Sequence, residues 1–288
     1  MKDYITMSIF IQTLKKRLET INSHVCVGLD SNYKFIPDFI KNGQTVKEAI
    51  FDFNKRIIAV THELAVIYKM NVSFYAAYGH EGLEALRLTN EFLKQNHPEI
   101  MILDDCKRSE MGQTVEMVAK EIFDWLQFDC VMTTPWFGLD TIRDYLRDES
   151  KGVLVYIHDS NPSAGEIQDL KLADGRAVYE VVAEKVANEW NLNGNVWAEA
   201  GITYLPQLRR TREIIGEEMP LLVAGVGAQG GKPEDLRGLF GAQGKRLIVN
   251  SSRGIIFASK KNDESYFNEV KMSAFDLKNK LQGVAKLT

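Results

Sequence analysis

Cysteine, histidine and proline are all scarce in this chain. The three cysteines, Cys26, Cys106 and Cys130, are odd in number and share no CxxC spacing. That argues against a disulfide framework and against a zinc site. The five histidines, His24, His62, His80, His97 and His158, fall into no metal-ligand spacing and read as structural residues. With only seven prolines in 288 residues, no Pro/Ser-rich linker divides the chain, and neither does a low-complexity tract or a short repeat. Charge of one sign is missing too. Lys and Arg number 35 against 39 Asp and Glu, for a net charge of −4 without a polybasic run. Nucleic acid and membrane surfaces are therefore not the expected partners. No apolar run is long enough to span a bilayer. The N-terminal YITMSIFIQ is short, precedes Lys15, Lys16 and Arg17, and reads as the start of a helix rather than a signal peptide. The expectation is a soluble cytoplasmic protein, with residues 1–288 forming a single large domain.

What the chain does have is one recurring unit: a short apolar run, a polar or Gly-rich turn, then an amphipathic stretch. The apolar runs are VCVGLD (25–30), AVIYKM (65–70), IMILDD (100–105), DCVMTT (129–134), GVLVYIH (152–158), NVWAEA (195–200), PLLVAG (220–225) and RLIVNS (246–251). They are continuously apolar rather than alternating, as strands covered on both faces should be. Between them lie helical patterns such as TVEMVAKEIFDWL (114–126) and AVYEVVAEKVANEW (177–190). Trp125 and Trp190, which end these two stretches, read as core. Eight strands alternating with helices predict an α/β fold of the (β/α)8 TIM-barrel type. An open doubly wound sheet is the runner-up, but no GxGxxG follows the first strand.

Active sites of such barrels lie at the carboxyl ends of the strands. Strand 1 ends in Asp30, strand 2 in Lys69, and strand 3 in Asp105 followed by Lys107. Strand alternation sends Asp105 and Lys107 to one side and Cys106 to the other. A single Asp-x-Lys is most simply a solvated ion pair. With Lys69 on the neighbouring strand, three charged groups end otherwise apolar strands, the kind of cluster that marks a catalytic site. A second constellation joins GVGAQGG (225–231), which contains Gln229 and Gly230, to NSSRGIIFAS (250–259), which contains Ser252 and Arg253. Glycines let backbone N–H groups approach an anion, and Arg253 adds a fork of donors. Loops after strands 7 and 8 are where many barrels hold phosphate.

Taken in order, VCVGLD, YKMNVSFYAAYGHEG, LDDCKRSEMGQT, TTPWFG, DSNPSAG, AGVGAQGG and NSSRGIIFAS resemble the orotidine 5′-phosphate decarboxylase family, in its longer type with a GAQGG loop. The resemblance spans nearly the whole chain. It implies a homodimeric barrel with active sites at the subunit interface. It also implies that orotidine 5′-monophosphate is converted to uridine 5′-monophosphate and CO2, in de novo pyrimidine biosynthesis, without a cofactor or metal. Lys69, Asp105 and Lys107 match the family's charged array, and Glu110 falls where the partner subunit supplies an acid. The same resemblance makes Lys107 the proton donor to C6 and places Asp105 near the substrate carboxylate. Lys69 bridges Asp105 and the ribose, and Asp30 holds a ribose hydroxyl, as does Thr114 from the other subunit. Ser160 meets the pyrimidine edge. Gln229, Gly230, Ser252 and Arg253 belong to the phosphate grip.

Two positions depart from the family pattern: Glu110 stands where the family has Asp, and Ala224 where it usually has Pro. They keep open a catalytically lapsed nucleotide-binding homologue. A Mg-dependent sugar-phosphate decarboxylase on the same barrel is the other alternative. Those relatives place an acid on strand 2, where this chain has Lys69.

Overall fold

The eight apolar runs form eight parallel strands that close on themselves in chain order. They are β1 (Val25–Gly28), β2 (Ala65–Met70), β3 (Met101–Asp104), β4 (Cys130–Thr133), β5 (Gly152–His158), β6 (Val196–Gly201), β7 (Leu221–Ala224) and β8 (Leu247–Ser251). The computed structural model describes residues 8–227 and 230–287. The outer layer is made mainly of α1 (Ile9–Ile21), α2 (Val46–Thr61), α3 (Gly79–Asn96), α4 (Gln113–Ala119), α5 (Leu139–Tyr145), α6 (Val178–Asn188), α7 (Leu205–Ile215) and α8 (Tyr266–Ala285). Among the described residues no helix is long and apolar enough to cross a membrane.

Local chemistry sets the helix ends and faces. At the start of α2 the Thr45 hydroxyl accepts from the Glu48 N–H, and the Glu48 carboxylate accepts from the Thr45 N–H. This reciprocal cap satisfies donors that the first turn leaves free. Ala49, Ile50, Phe53, Ile57 and Ile58 then recur at helical spacing, and all are buried against the barrel.

The expected repeat fails after β7. Only short 3-10 turns, Pro233–Leu236 and Ala242–Gly244, stand where a helix would complete the unit. A second departure lies after α4, where residues Lys120–Trp125 continue as a π-helical turn. The wider turn rotates later side chains out of the 3.6-residue phase. Trp125, expected in the core, is therefore 46% exposed, whereas Trp190 is buried as expected.

The barrel interior is filled by inward side chains, among them Leu103, Met132, Leu154, Trp197, Leu222 and Ile248. α1 seals the amino-terminal end, with the Phe10 ring 6.0 Å from that of Trp197. At Gly152 any Cβ would lie 2.4 Å from the Phe10 ring, so β5 can start there only as glycine. With that end plugged, the polar cavity at the strand ends opens on the other side, among the carboxyl-terminal loops.

Candidate active site

β3 ends at Asp104, one residue before the carboxylate singled out in the sequence. Asp105 still follows the ladder, its N–H donating to Met70 O of β2 at 2.9 Å. Beyond it the pleat stops. Lys107 has φ of 53°, a left-handed conformation that is uncommon for a side-chain-bearing residue. Lys107 and Asp105 do meet, but through this turn rather than through strand alternation. Such backbone strain persists where the surroundings hold it in place. Here Ser109 supplies the hold: its hydroxyl bonds Thr134 O at 3.0 Å and accepts from the Thr134 N–H at 3.1 Å. The Thr133 hydroxyl donates to Arg108 O at 2.8 Å.

The result is a chain of charges with one acid in the middle. Lys69 bonds one oxygen of Asp105 and Lys107 bonds the other. Lys69 and Asp105 are both buried. Burial alone would drive the Lys69 ammonium to its neutral form. The carboxylates of Asp105, first, and Asp30 overcome that and hold it well above the usual lysine range. Burial likewise works against ionised Asp105, and the two ammonium groups beside it outweigh the penalty and hold its carboxyl below the usual range. Lys69 and Asp105 are therefore both charged at neutral pH without needing a ligand. The Lys107 Nζ also stands 5.3 Å from the Tyr156 ring centre, within reach of its negative face.

These groups form one wall of a cavity of about 470 Å3. Asp30, Ser160, Ser252 and Arg253 line it as well, so seven of the sequence-selected residues converge on one space. Asp30 accepts the Asn71 N–H at 3.2 Å, which ties the ends of β1 and β2 together. Ser252 packs so tightly on β1 that a Cβ on Gly28 would sit 1.8 Å from its hydroxyl. The loop after β7 folds on itself, with Gly227 N–H donating to Gly231 O at 2.9 Å and Gly230 at φ of 90°. Gly225 and Val226 of that loop line the cavity. Gln229 lies outside the described residues. Among the described residues, no group of three or more His, Cys, Asp or Glu side chains is placed to hold a metal ion.

The match to known proteins runs along the same span. The family model for the orotidine 5′-phosphate decarboxylase / HUMPS family matches residues 23–265. The chain belongs to that family. It is 38% identical over 283 residues to the orotidine 5′-phosphate decarboxylase of Halorubrum lacusprofundi, covering 94% of this chain and 98% of that one. The Christiangramia forsetii enzyme of the same name is 37% identical over 259 residues, covering 90% and 92%. Among solved structures, the Leishmania donovani OMP decarboxylase superposes with a TM-score of 0.81 at 28% identity, covering 97% of this chain and all of that one.

Two residues assigned by resemblance to this decarboxylase family stand apart from the cavity. Glu110 and Thr114 are exposed on the β3–α4 segment and do not line it in their own chain. Thr141 of α5 donates to Glu110 O, which fixes the Glu110 backbone. Around them Met111, Met117, Trp136 and Phe137 are exposed at 55%, 53%, 70% and 42%. His158 is structural as expected: a bulge in β5 turns its ring out to Tyr179 and Tyr204, at 5.3 and 5.0 Å.

Among the cavity residues that sequence reasoning did not single out are Phe35, Tyr156 and Glu199. Glu199 is the most consequential. It is 2% exposed, and its Oε2 has no hydrogen-bond partner among the described residues. The signal was present as one acid inside the apolar run NVWAEA, at the inward parity of Trp197.

Proposed function

We propose that the protein is an orotidine 5′-phosphate decarboxylase, converting orotidine 5′-monophosphate to uridine 5′-monophosphate and CO2. Family membership supports the reaction. The single observation that carries the reading is the Lys69–Asp105–Lys107 array, with Lys69 and Asp105 buried, facing a nucleotide-sized cavity. The role of each residue is our reading, and so are the cytoplasmic location, the single catalytic domain and the dimer.

The nucleotide lies across the barrel mouth with its phosphate toward Arg253, Ser252 and the Gly230 turn. Gln229 joins that grip, as the family resemblance implies. Asp30 and Lys69 hold the ribose, and Ser160 meets the polar edge of the base. The C6 carboxylate then faces Asp105. When the bond from C6 to the carboxylate breaks, its electron pair stays on C6 and CO2 leaves. The ammonium of Lys107 gives a proton to C6, and solvent later restores it. Negative charge on C6 is poorly delocalised by the ring. Ammonium groups already fixed by Asp105 stabilise that charge without reorganising during the step. Phosphate binding is remote from C6, yet its energy helps close the loop and position the base.

Glu110 and Thr114 act in the partner's cavity rather than their own. The exposed Met111, Met117 and Trp136 around them support this, because a second copy would cover them. Glu110 carries one methylene more than the aspartate usual in the family, so its carboxylate has to fold back to reach the same place.

The test is ultraviolet absorbance of orotidine 5′-monophosphate with purified protein and EDTA. Loss of the orotate chromophore at catalytic protein concentration is expected. No loss, with thermal stabilisation by uridine 5′-monophosphate, would move the reading to a binding protein whose chemistry has lapsed. Turnover that EDTA abolishes would point instead to metal-dependent chemistry.

A further inference from the structure

Glu199 has no role in the mechanism above, yet it lies in the floor of the same cavity. It sits on the inward face of β6, one inward position above Trp197, which fills the barrel. One inward position further up, Gly201 packs against Ser160 so closely that a Cβ there would lie 2.7 Å from the serine Cβ. Glu199 is therefore directly below the place reserved for the base. Its register partners are Tyr156 on β5 and Leu222 on β7. The charged and titratable groups facing it are Asp30 after β1, Lys69 on β2, and Asp105 and Lys107 after β3. Tyr156 on β5 and Asp159 just after it face it too, with Arg253 from the end of β8 and the buried Cys26 thiol from β1.

We propose that Glu199 contacts the substrate: from the cavity floor its carboxyl, in the acid form, donates a hydrogen bond to the carboxylate on C6 of the bound nucleotide. This rests on the decarboxylase reading. A buried carboxyl with an unpartnered oxygen is a costly arrangement that a protein keeps only when something else satisfies it. The charges around it indicate which form enters the reaction. Burial disfavours ionised Glu199, and so does Asp105; Lys107 and Lys69 oppose them only in part, because both are already paired with Asp105. The carboxyl is pushed up to about 8 and is a donor at neutral pH. Asp105, Lys107 and Lys69 line the same cavity as Glu199, so its carboxyl shares one space with the reacting end of the base. The group that must lie there is an acceptor, and the substrate carboxylate is one. An ionised Glu199 would instead repel it.

The hydrogen bond forms to the intact carboxylate and is still in place while the bond to C6 stretches, so it holds ground state and transition state about equally. Its loss should therefore raise KM more than it lowers kcat. The experiment compares Glu199→Gln and Glu199→Leu with the unchanged protein from pH 6 to 9.5. Glu199→Leu should raise KM roughly tenfold to a hundredfold, the range for a bond to a charged acceptor, with kcat within about threefold. Inhibition by uridine 5′-monophosphate, which has no carboxylate, should barely change. Glu199→Gln keeps a donor and cannot ionise. It should hold KM near the unchanged value at pH 7 and lack the loss of kcat/KM that the unchanged protein shows above about 8. Limbs from other groups are common to all three proteins. An unchanged KM in Glu199→Leu, equal weakening of substrate and product, or the same alkaline loss in Glu199→Gln would each overturn the proposal. If the unchanged protein turns over nothing, the decarboxylase reading itself fails. The same comparison is then made by calorimetry, where selective weakening of orotidine 5′-monophosphate over uridine 5′-monophosphate supports the contact and equal or absent weakening overturns it.

Discussion

The adjacent aspartates of LDDCK face opposite sides of the barrel wall, and one substitution at each should give opposite results. Asp105 faces the cavity between two ammonium groups. Asp104 faces outward under the helices. It is fully buried, one oxygen has no partner, and the other accepts from the Cys106 thiol at 2.9 Å. Burial dominates there, and the Asp104 carboxyl is raised from 3.8 to about 7. Between those two values the unfolded chain ionises while the folded one keeps its proton. The native state thus binds more protons, and stability falls as pH rises. The contribution is complete below 3.8 and gone above about 7. At about 1.4 kcal/mol per pH unit, the interval corresponds to about 4 kcal/mol. Asp104→Asn removes this slope, while Glu199 and Asp105 titrate alike in both proteins and cancel. Relative to the unchanged protein, the variant should gain on the order of 10 °C in melting temperature between pH 4 and pH 8. Its kcat/KM should stay within about threefold. Asp105→Asn should lose at least a thousandfold in kcat/KM, since it removes the anion that fixes both ammonium groups. Parallel melting curves for the unchanged protein and Asp104→Asn across that pH range would refute the reasoning about Asp104.

Other predictions concern the rest of the cavity and its surroundings. Arg253→Ala should weaken uridine 5′-monophosphate roughly tenfold to a hundredfold by calorimetry and leave uridine nearly unchanged; equal losses would remove Arg253 from the phosphate grip. Trp136→Glu, at a side chain 70% exposed in one subunit, should convert a dimer to monomers in sedimentation and lower turnover with it. An unchanged dimer would place the interface elsewhere. Glu110→Asp should leave kcat equal or higher, and a large drop would mean that the pocket has adapted to the longer acid.

Much of the fold was legible because buried parallel strands leave a simple trace. All eight continuous apolar runs became strands, with ends within two residues of the expected ones. The charged array was legible for a related reason: Lys69 and Asp105 are ionisable residues at the end of such runs, where solvation does not explain them. The turn at Lys107 was not, because no glycine or asparagine announces its left-handed conformation. Ser109 and Thr133 hold that turn through contacts 24 residues apart in sequence. Trp125 misled because a π-helical turn leaves no mark in a 3.6-residue pattern. Glu199 was visible as an acid in an apolar run, but only the closed barrel tells whether such a residue faces ligand or helix.

The most direct test of the central claim is Lys107→Ala in the chromophore assay, paired with calorimetric binding of uridine 5′-monophosphate. Lys107 is the proposed acid, and it reaches its place only through Asp105 and a strained turn. The expected result is loss of nearly all turnover, on the order of 10^3-fold or more, with product still bound and the melting transition intact. Substantial remaining turnover would contradict the assignment of Lys107 as the group that delivers the proton to C6.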